Sequence, residues 1–138
     1  MPYAVPIVVV TVAGLAVSAY VWYKQVTAGP VLCIGRGCAA VIRSRYGRML
    51  AIPNGAWGTI YFGSLGVAAG LAATHPAWGI SLGPLSLLAS VVALVLHGYL
   101  TYLQIFVLRA LCSWCLTSAA LTLVLALLLI QGFVVRGG

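Results

Sequence analysis

Two cysteines, Cys112 and Cys115, stand in the sequence CSWC at the start of a long apolar run. If that run is a helix, the pair lies in its first turn, where the spacing brings both sulfurs close enough to form and break a disulfide. The positive end of the helix dipole also favours a thiolate at this position. The spacing therefore predicts a redox-active dithiol rather than a pair of packing residues.

A second pair, Cys33 and Cys38, lies in the sequence CIGRGC. Gly35 and Gly37 allow this segment to bend, and Arg36 is available to stabilise a thiolate. Thiol–disulfide exchange can pass electrons from one such pair to another. Two pairs in one chain therefore predict a relay, in which one pair takes electrons from a client and the other passes them on.

Three other uses of the cysteines stay open. Zinc binding fits poorly, because four residues separate Cys33 from Cys38 and no histidine lies close in the sequence, so we expect no metal site. The cysteines could also be buried packing residues. They could form a purely structural disulfide staple, since intracellular proteins of hyperthermophiles carry such bonds.

The composition predicts a membrane protein. Of the 138 residues, 64% are hydrophobic and 5% are charged, which is more apolar surface than a soluble domain of this size can bury. A bilayer core of about 30 Å needs about 20 apolar residues per helix, and backbone groups in lipid must be hydrogen-bonded within the segment. We therefore expect one all-α integral membrane domain over residues 1–138, a bundle of four transmembrane helices near residues 4–23, 56–74, 80–108 and 111–135. The first is interpreted as a retained span rather than a cleaved signal peptide.

One long connection, residues 24–55, separates the first two predicted spans. Its centre, CAAVIRSRYGRML, mixes apolar and basic residues at roughly helical spacing, which predicts a short amphipathic helix on the membrane surface. An ordered loop with a solvated run of charges is the alternative. With four spans, this loop and the connection before the last helix emerge on the same side, so all four cysteines reach one face. The second span contains GVAAG, residues 66–70, whose small residues allow close helix approach.

The charges restrict both function and orientation. The chain has 7 lysines and arginines and no aspartate or glutamate, which excludes carboxylate general acids, calcium loops and acidic proton relays.

Arg136 lies on the side opposite the cysteines. The other basic residues lie on the cysteine side: Lys24, Arg36, Arg43, Arg45, Arg48 and Arg109. Short loops rich in lysine and arginine stay in the cytoplasm, so we expect the cysteines to face inward, with an outward face as the alternative.

Three polar residues share one face of the third predicted helix, His97, Thr101 and Gln104, at positions i, i+4 and i+7. They could bind a cofactor. Polar residues of a membrane bundle more often satisfy each other between helices. The other histidine, His75, falls in a loop, which argues against a bis-histidine haem.

The order of the motifs resembles the vitamin K epoxide reductase family, including its microbial quinone-linked homologues. The loop cysteine pair comes first, followed by SRYGR, then NGAWGTIYF, then CSWC opening the last helix. The resemblance covers nearly the whole chain. It implies a four-helix bundle around a quinone near the active face.

The resemblance also implies a role for each cysteine. Cys115 would lie beside the quinone ring, and Cys112 would exchange with Cys38 across the two loops. Cys33 would meet a separate thioredoxin-like redox protein. Electrons would then flow from a client dithiol to Cys33 and Cys38, on to Cys112 and Cys115, and finally to the quinone.

Four further residues are candidates for the cofactor site. By resemblance, Ser44 would hold the loop helix over the site, and Asn54 would donate a hydrogen bond to a quinone oxygen. Asn54 could equally cap the second helix, since PNGAW suits a helix start. Trp57 and Tyr61 could line an aromatic quinone pocket, although packing or interface anchoring explains them nearly as well.

We therefore predict a multi-pass cell-membrane oxidoreductase that forms disulfides and reduces a quinone of the ubiquinone or menaquinone type. Its partners would be the thioredoxin-like protein, membrane lipids and the quinone pool, and no nucleic acid. Ala119 stands one turn after Cys115, where animal members have a tyrosine that contacts the quinone, so quinone reduction is favoured over epoxide reduction. The rival functions are epoxide-type reduction, a structural membrane subunit with stapled loops, and a small transporter.

Overall fold

The computed structural model describes residues 4–27, 37–43, 48–49 and 52–137. Most of them are helical. In chain order the elements are α1 (Ala4–Val26), α2 (Cys38–Ile42), β1 (Arg48–Met49), β2 (Ile52–Pro53), α3 (Asn54–Thr74), α4 (Pro76–Tyr102), a π-helical turn (Leu103–Val107) and α5 (Ser113–Gly137). The single residue His75 separates α3 from α4, and five residues separate the π turn from α5.

The four long helices pack side by side, with α1 and α4 each contacting both α3 and α5. The apolar centre, which we call the mid-bundle core, consists of Phe62, Leu65 and Leu125. Phe62 and Leu125 are fully buried. Because α1 ends where α3 and α5 begin, these three termini, α2 and the π turn lie together. We call this part of the molecule the cysteine end.

Glycines allow α1 and α3 to approach closely and in antiparallel directions. As residue numbers increase along α1, the numbers of the facing residues in α3 decrease. Thr11 faces Gly66, Gly14 faces Phe62, Ser18 faces Gly58 and Trp22 faces Gly55. A Cβ atom at Gly55 would lie 2.6 Å from the Cα atom of Trp22, where no rotamer change could relieve it. The predicted GVAAG face contributes less, because a Cβ atom at Gly66 would make ordinary contact with Thr11 and one at Gly70 would meet nothing within 4 Å.

Three helices are long and apolar enough to cross a membrane, as judged from the described residues: Val5–Val26, Leu82–Val107 and Ser113–Gly132. Much of the outer surface is apolar, with Val5, Val67 and Val95 each more than 60% exposed. Exposed aliphatic side chains on this scale are typical of a surface that faces lipid. Helix α3 has the length for a span, but its five glycines lower its hydropathy.

The described residues of the connection between α1 and α3 form a short helix and a short pair of strands. Its helix, α2, contains five residues, and Arg48–Met49 pairs with Ile52–Pro53 as a short antiparallel ladder. Val41 and Ile42 of α2 are buried against Val21 and Cys112 rather than exposed on a surface. The described helix of this loop, α2, thus packs into the protein. The amphipathic surface helix expected from the spacing stays a prediction.

Candidate functional site

The CSWC motif forms the start of α5, and Cys112 acts as its N-cap. The Sγ atom of Cys112 accepts a hydrogen bond of 3.2 Å from the backbone N–H of Cys115, and its carbonyl accepts one of 2.9 Å from Leu116. A cap side chain normally satisfies an N–H of the first helical turn in this way. The sulfur of Cys112 therefore sits among the N–H groups at the positive end of the helix dipole.

These contacts make Cys112 the more acidic thiol. Its pKa lies below the usual value chiefly because the Cys115 side chain hydrogen-bonds to it, and the backbone N–H groups of Trp114 and Cys115 add to the effect. Burial opposes this shift, because Cys112 is completely buried and burial disfavours the thiolate. Cys112 and Cys115 are not joined by a disulfide, so the Cys115 side chain can act as a hydrogen-bond donor to the Cys112 sulfur.

Gln104 connects the π turn to the cysteine motif. Its Oε1 atom accepts a hydrogen bond of 2.9 Å from the backbone N–H of Cys112, and its carbonyl accepts one of 3.0 Å from Ala110. Arg109 has a φ of 52°, in the left-handed region that few residues other than glycine adopt. The π turn and this reversal bring the chain from α4 back to α5 within a few residues, so Gln104 lies opposite the start of α5.

Helix α2 lies against the segment that precedes Cys112. A Cβ atom at Gly37 would meet the backbone of Leu111, including its nitrogen at 2.7 Å, so these two backbones are in direct contact. Gly37 directly precedes Cys38, the first residue of α2, and Leu111 directly precedes Cys112. The structure thus brings the two cysteine-bearing segments together at the level of the backbone.

Gln25, near the end of α1, joins three elements. Its Nε2 atom donates to the Ile42 carbonyl at the end of α2 at 3.0 Å, and its Oε1 atom accepts from the Gly55 N–H in α3 at 2.9 Å. Arg43 adds exposed contacts to the carbonyls of Lys24 and Thr27, at 3.4 and 3.2 Å. These bonds hold α2 against the end of α1 and the start of α3.

A cavity lies between these elements. Its empty volume is about 460 Å³, including the part open to the surroundings. Apolar residues form most of the wall: Val21, Val41, Ile42, Leu100, Leu103 and Leu108. Polar or reactive side chains complete it: Gln25, Asn54, His97, Thr101, Gln104 and Cys115.

The predicted site residues divide into three groups. Cys115 and Asn54 line the cavity. Cys112 is in contact with Cys115, because its Sγ atom accepts the hydrogen bond from the Cys115 N–H. Trp57 and Tyr61 are on α3 outside its lining, and the hydroxyl groups of Tyr61 and Ser90 are hydrogen-bonded at 2.7 Å. Cys33 and Ser44 lie outside the described residues, and Cys38 is described only as the first residue of α2. Asn54 is the first residue of α3, and Pro53 precedes it as the cap.

Sequence reasoning missed the two glutamines as structural residues. Gln104 had a signal, since it shares a helical face with His97 and Thr101, and all three line the cavity. Gln25 had none, because nothing in its neighbours indicates which backbone groups it will meet. Within the part of the chain that is described, no group of three or more histidines and cysteines is placed to hold a metal ion.

Comparison with known families gives one match. The model of the Vitamin K epoxide reductase family matches residues 5–130, which is most of the chain. In a comparison with curated protein sequences, no sequence matches this chain.

Proposed function

The chain belongs to the vitamin K epoxide reductase family, and on that basis we propose that it passes electrons from protein dithiols through two cysteine pairs to a quinone. The family consists of membrane oxidoreductases that involve quinones and generally work with a partner redox protein. The single observation that carries the proposal is the position of Cys115. It lines an apolar cavity while its backbone N–H bonds to the sulfur of Cys112.

The cavity supports a quinone as the electron acceptor. Its walls are largely apolar, as a lipid-soluble ring requires, and the side-chain amides of Asn54, Gln25 and Gln104 can donate hydrogen bonds to ring oxygens. When bound, a quinone would supply an acceptor for two electrons and two protons. Asn54 keeps the role expected from the family resemblance, whereas Trp57 and Tyr61 would act outside the cavity, through packing.

The chemistry of the two thiols assigns them different tasks. Cys112 is the more acidic thiol and is fully buried, beside the segment that carries Cys38. A thiolate of low pKa is a good leaving group, so Cys112 suits disulfide exchange with the loop pair. Cys115, which lines the cavity, suits electron transfer to the quinone. Cys33 would exchange with a thioredoxin-like partner, and Ser44 would hold the loop.

We also propose that α3 crosses the membrane with the other three long helices. Its outward residues include Ile60 and Val67, which are more than half exposed and apolar. Four of its five glycines face α1, namely Gly55, Gly58, Gly63 and Gly66, so they lower its hydropathy without making its outer face polar. The cysteine end then lies at one face of a four-helix bundle, and the excess of basic residues in its loops assigns that face to the cytoplasm.

Quinol formation by the purified protein tests the function. With a short-chain ubiquinone or menaquinone and dithiothreitol, the protein should form quinol, and Cys115→Ala should abolish it. Thr117→Ala is the matched control, because Thr117 is exposed on the same helix and bonds only to its own helix backbone. If the cysteines were only a structural staple, quinone would stay oxidised with every variant.

The relay and the orientation need separate experiments. Cys38→Ala should stop oxidation of a protein dithiol but leave oxidation of dithiothreitol, which can reduce the Cys112–Cys115 pair directly. Equal loss with both substrates would contradict a relay. An impermeant maleimide should label the loop cysteines in inverted vesicles and not in intact cells, and rapid labelling from outside would refute the inward orientation.

A further inference from the structure

His97 lies in the same cavity as Cys115, and nothing in the relay described above uses it. Among the residues that the structure describes, none hydrogen-bonds its imidazole; the Thr101 hydroxyl bonds to the His97 backbone carbonyl instead. No fully buried side-chain nitrogen or oxygen in the described ranges lacks a partner, so the ring nitrogens of His97 are at least partly accessible, and His97 is one of the residues that line the cavity. An imidazole is thus available to whatever the cavity binds.

The reaction needs a group that moves protons. Oxidation of the Cys112–Cys115 dithiol to a disulfide releases two electrons and two protons, and reduction of a quinone to a quinol takes up the same number. Membrane enzymes usually carry such protons on aspartate, glutamate or histidine. This chain has no aspartate or glutamate, and its other histidine, His75, is exposed at the junction of α3 and α4.

We propose that His97 is the proton carrier of the quinone site, an inference that rests on the function proposed above. The imidazole accepts the proton of the Cys115 thiol as the disulfide with Cys112 forms, and it delivers that proton to a quinone oxygen. The proton of Cys112, released when its thiolate forms, goes to water, and the second quinone oxygen takes one from water. Two electrons and two protons leave the dithiol, and two of each reach the quinol.

Among the described residues that line this cavity, His97 is the only histidine, and none is an aspartate, glutamate, lysine or arginine. The lining residues from α1, α2 and α3 are uncharged, and α5 contributes one titratable group, Cys115 itself. The nearby polar groups of Asn54, Thr101 and Gln104 can orient a ring but do not change charge near neutral pH. Loss of His97 should therefore remove proton transfer while the hydrogen-bonding groups remain.

The first test measures quinol formation by His97→Gln with dithiothreitol and a short-chain quinone. Glutamine keeps a polar side chain but has no proton to exchange near pH 7, and general acid–base groups contribute about 10²–10⁴-fold to rates. We expect kcat to fall by about 10²-fold or more with a smaller change in the KM for quinone. We also expect imidazole in the buffer to rescue His97→Ala. His75→Gln is the matched control and should behave as wild type.

The second test needs no quinone. In a chain with Cys33, Cys38 and Cys112 replaced by serine, the rate of Cys115 alkylation by N-ethylmaleimide is followed from pH 5 to pH 10. With His97 present, the profile should show two inflections, one from the imidazole and one from the thiol. His97→Gln should leave a single inflection, and His75→Gln should leave both.

The outcomes separate this inference from the proposed function. If wild type forms quinol, but His97→Gln does so at the same rate and with the same alkylation profile, His97 carries no proton and only this inference fails. If wild type forms no quinol with either quinone, the proposed function itself fails. Loss of activity in His97→Gln with an unchanged alkylation profile and no imidazole rescue would make His97 a packing residue and would also overturn the inference.

Discussion

The mid-bundle core and the cysteine end are stabilised in different ways. Around the mid-bundle core, helices meet mainly through apolar side chains and glycines. The buried hydroxyls of Thr11 and Thr122 bond to Val8 and Ser118 within their own helices, and the bond between Tyr61 and Ser90 joins α3 to α4. At the cysteine end, side chains bond to backbone groups of other elements. The first region depends mainly on close packing, which lipid does not disturb.

The cysteine end depends instead on individual polar contacts. A buried N–H that loses its acceptor costs about 1–3 kcal/mol, because no water replaces the partner. Gln25 and Gln104 each satisfy such a group at the rim of the cavity. Changes in the mid-bundle core should therefore alter stability with little effect on the chemistry of each folded molecule, whereas changes at the cysteine end should alter the chemistry first.

The largest loss of stability from a change in the mid-bundle core should come from Gly14→Ala. A Cβ atom there would lie 2.6 Å from Cζ of Phe62, whose ring is fully buried and cannot move aside. Overpacking of this kind costs about 1–3 kcal/mol. The unfolding free energy, measured by denaturant titration in detergent micelles, should fall by that amount.

Gly70→Ala is the control for Gly14→Ala, since a Cβ atom at Gly70 meets nothing within 4 Å. Its unfolding free energy should change by less than about 1 kcal/mol, the difference in helix propensity between the two residues. Equal effects of the two substitutions would mean that α1 and α3 do not meet at Gly14.

The next largest effect should come from Gln104→Leu, which leaves the buried N–H of Cys112 without its acceptor. We expect stability to fall by about 1–3 kcal/mol, together with a loss of activity in the molecules that remain folded. Gln131→Leu, at an exposed position of α5, should change neither. A Gln104→Leu protein with full activity per folded molecule would contradict the expectation that changes at the cysteine end alter the chemistry.

A smaller effect concerns the thiolate of Cys112. Its low pKa depends chiefly on the Cys115 side chain, so Cys115→Ala should raise this pKa, whereas Cys115→Ser, which keeps a hydroxyl donor, should raise it less. The thiolate exists above its pKa and is lost as the pH falls through it. With Cys33 and Cys38 replaced by serine, alkylation of Cys112 by iodoacetamide should therefore begin at a higher pH in the alanine variant; identical profiles would contradict the hydrogen bond.

The smallest effect should come from Arg43→Ala. Arg43 bonds to the carbonyls of Lys24 in α1 and of Thr27 just after α1, but Arg43 is exposed, so water can replace it. Stability should change by no more than about 0.5 kcal/mol, as at other surface positions. A much larger loss in thermal unfolding would mean that Arg43, rather than Gln25, holds α2 in place.

Much of the fold could be predicted from hydropathy, because length and apolar composition are local properties of the chain. The long apolar runs predicted helices where α1, α4 and α5 occur, and the family resemblance is confirmed by the match over residues 5–130. The glycines were harder to interpret. GVAAG suggested a contact at Gly66 and Gly70, but the tight approaches occur at Gly14, Gly55 and Gly58, since spacing alone does not determine which face meets a neighbour.

The candidate site was predictable only in part. The CSWC spacing predicted that Cys112 and Cys115 lie together at a helix start, and PNGAW predicted a helix start, but the possible role of Asn54 as its cap was wrong because Pro53 is the cap. Neither the π turn nor the reversal at Arg109 has a signature in LQIFVLRAL, so the position of Gln104 beside Cys112 could not be predicted. Gln25 is a further case, because its partners become unsatisfied donors and acceptors only once α1, α2 and α3 have packed together.

The most direct test of the central claim is an anaerobic single turnover with Cys33 and Cys38 replaced by serine. The reduced protein is mixed with excess quinone, quinol is measured by absorbance, and the Cys112–Cys115 disulfide is counted by mass spectrometry. The account predicts one quinol for each disulfide formed, and neither product with Cys115→Ala. A disulfide that forms without quinol, or quinol that forms while both thiols remain free, would contradict it.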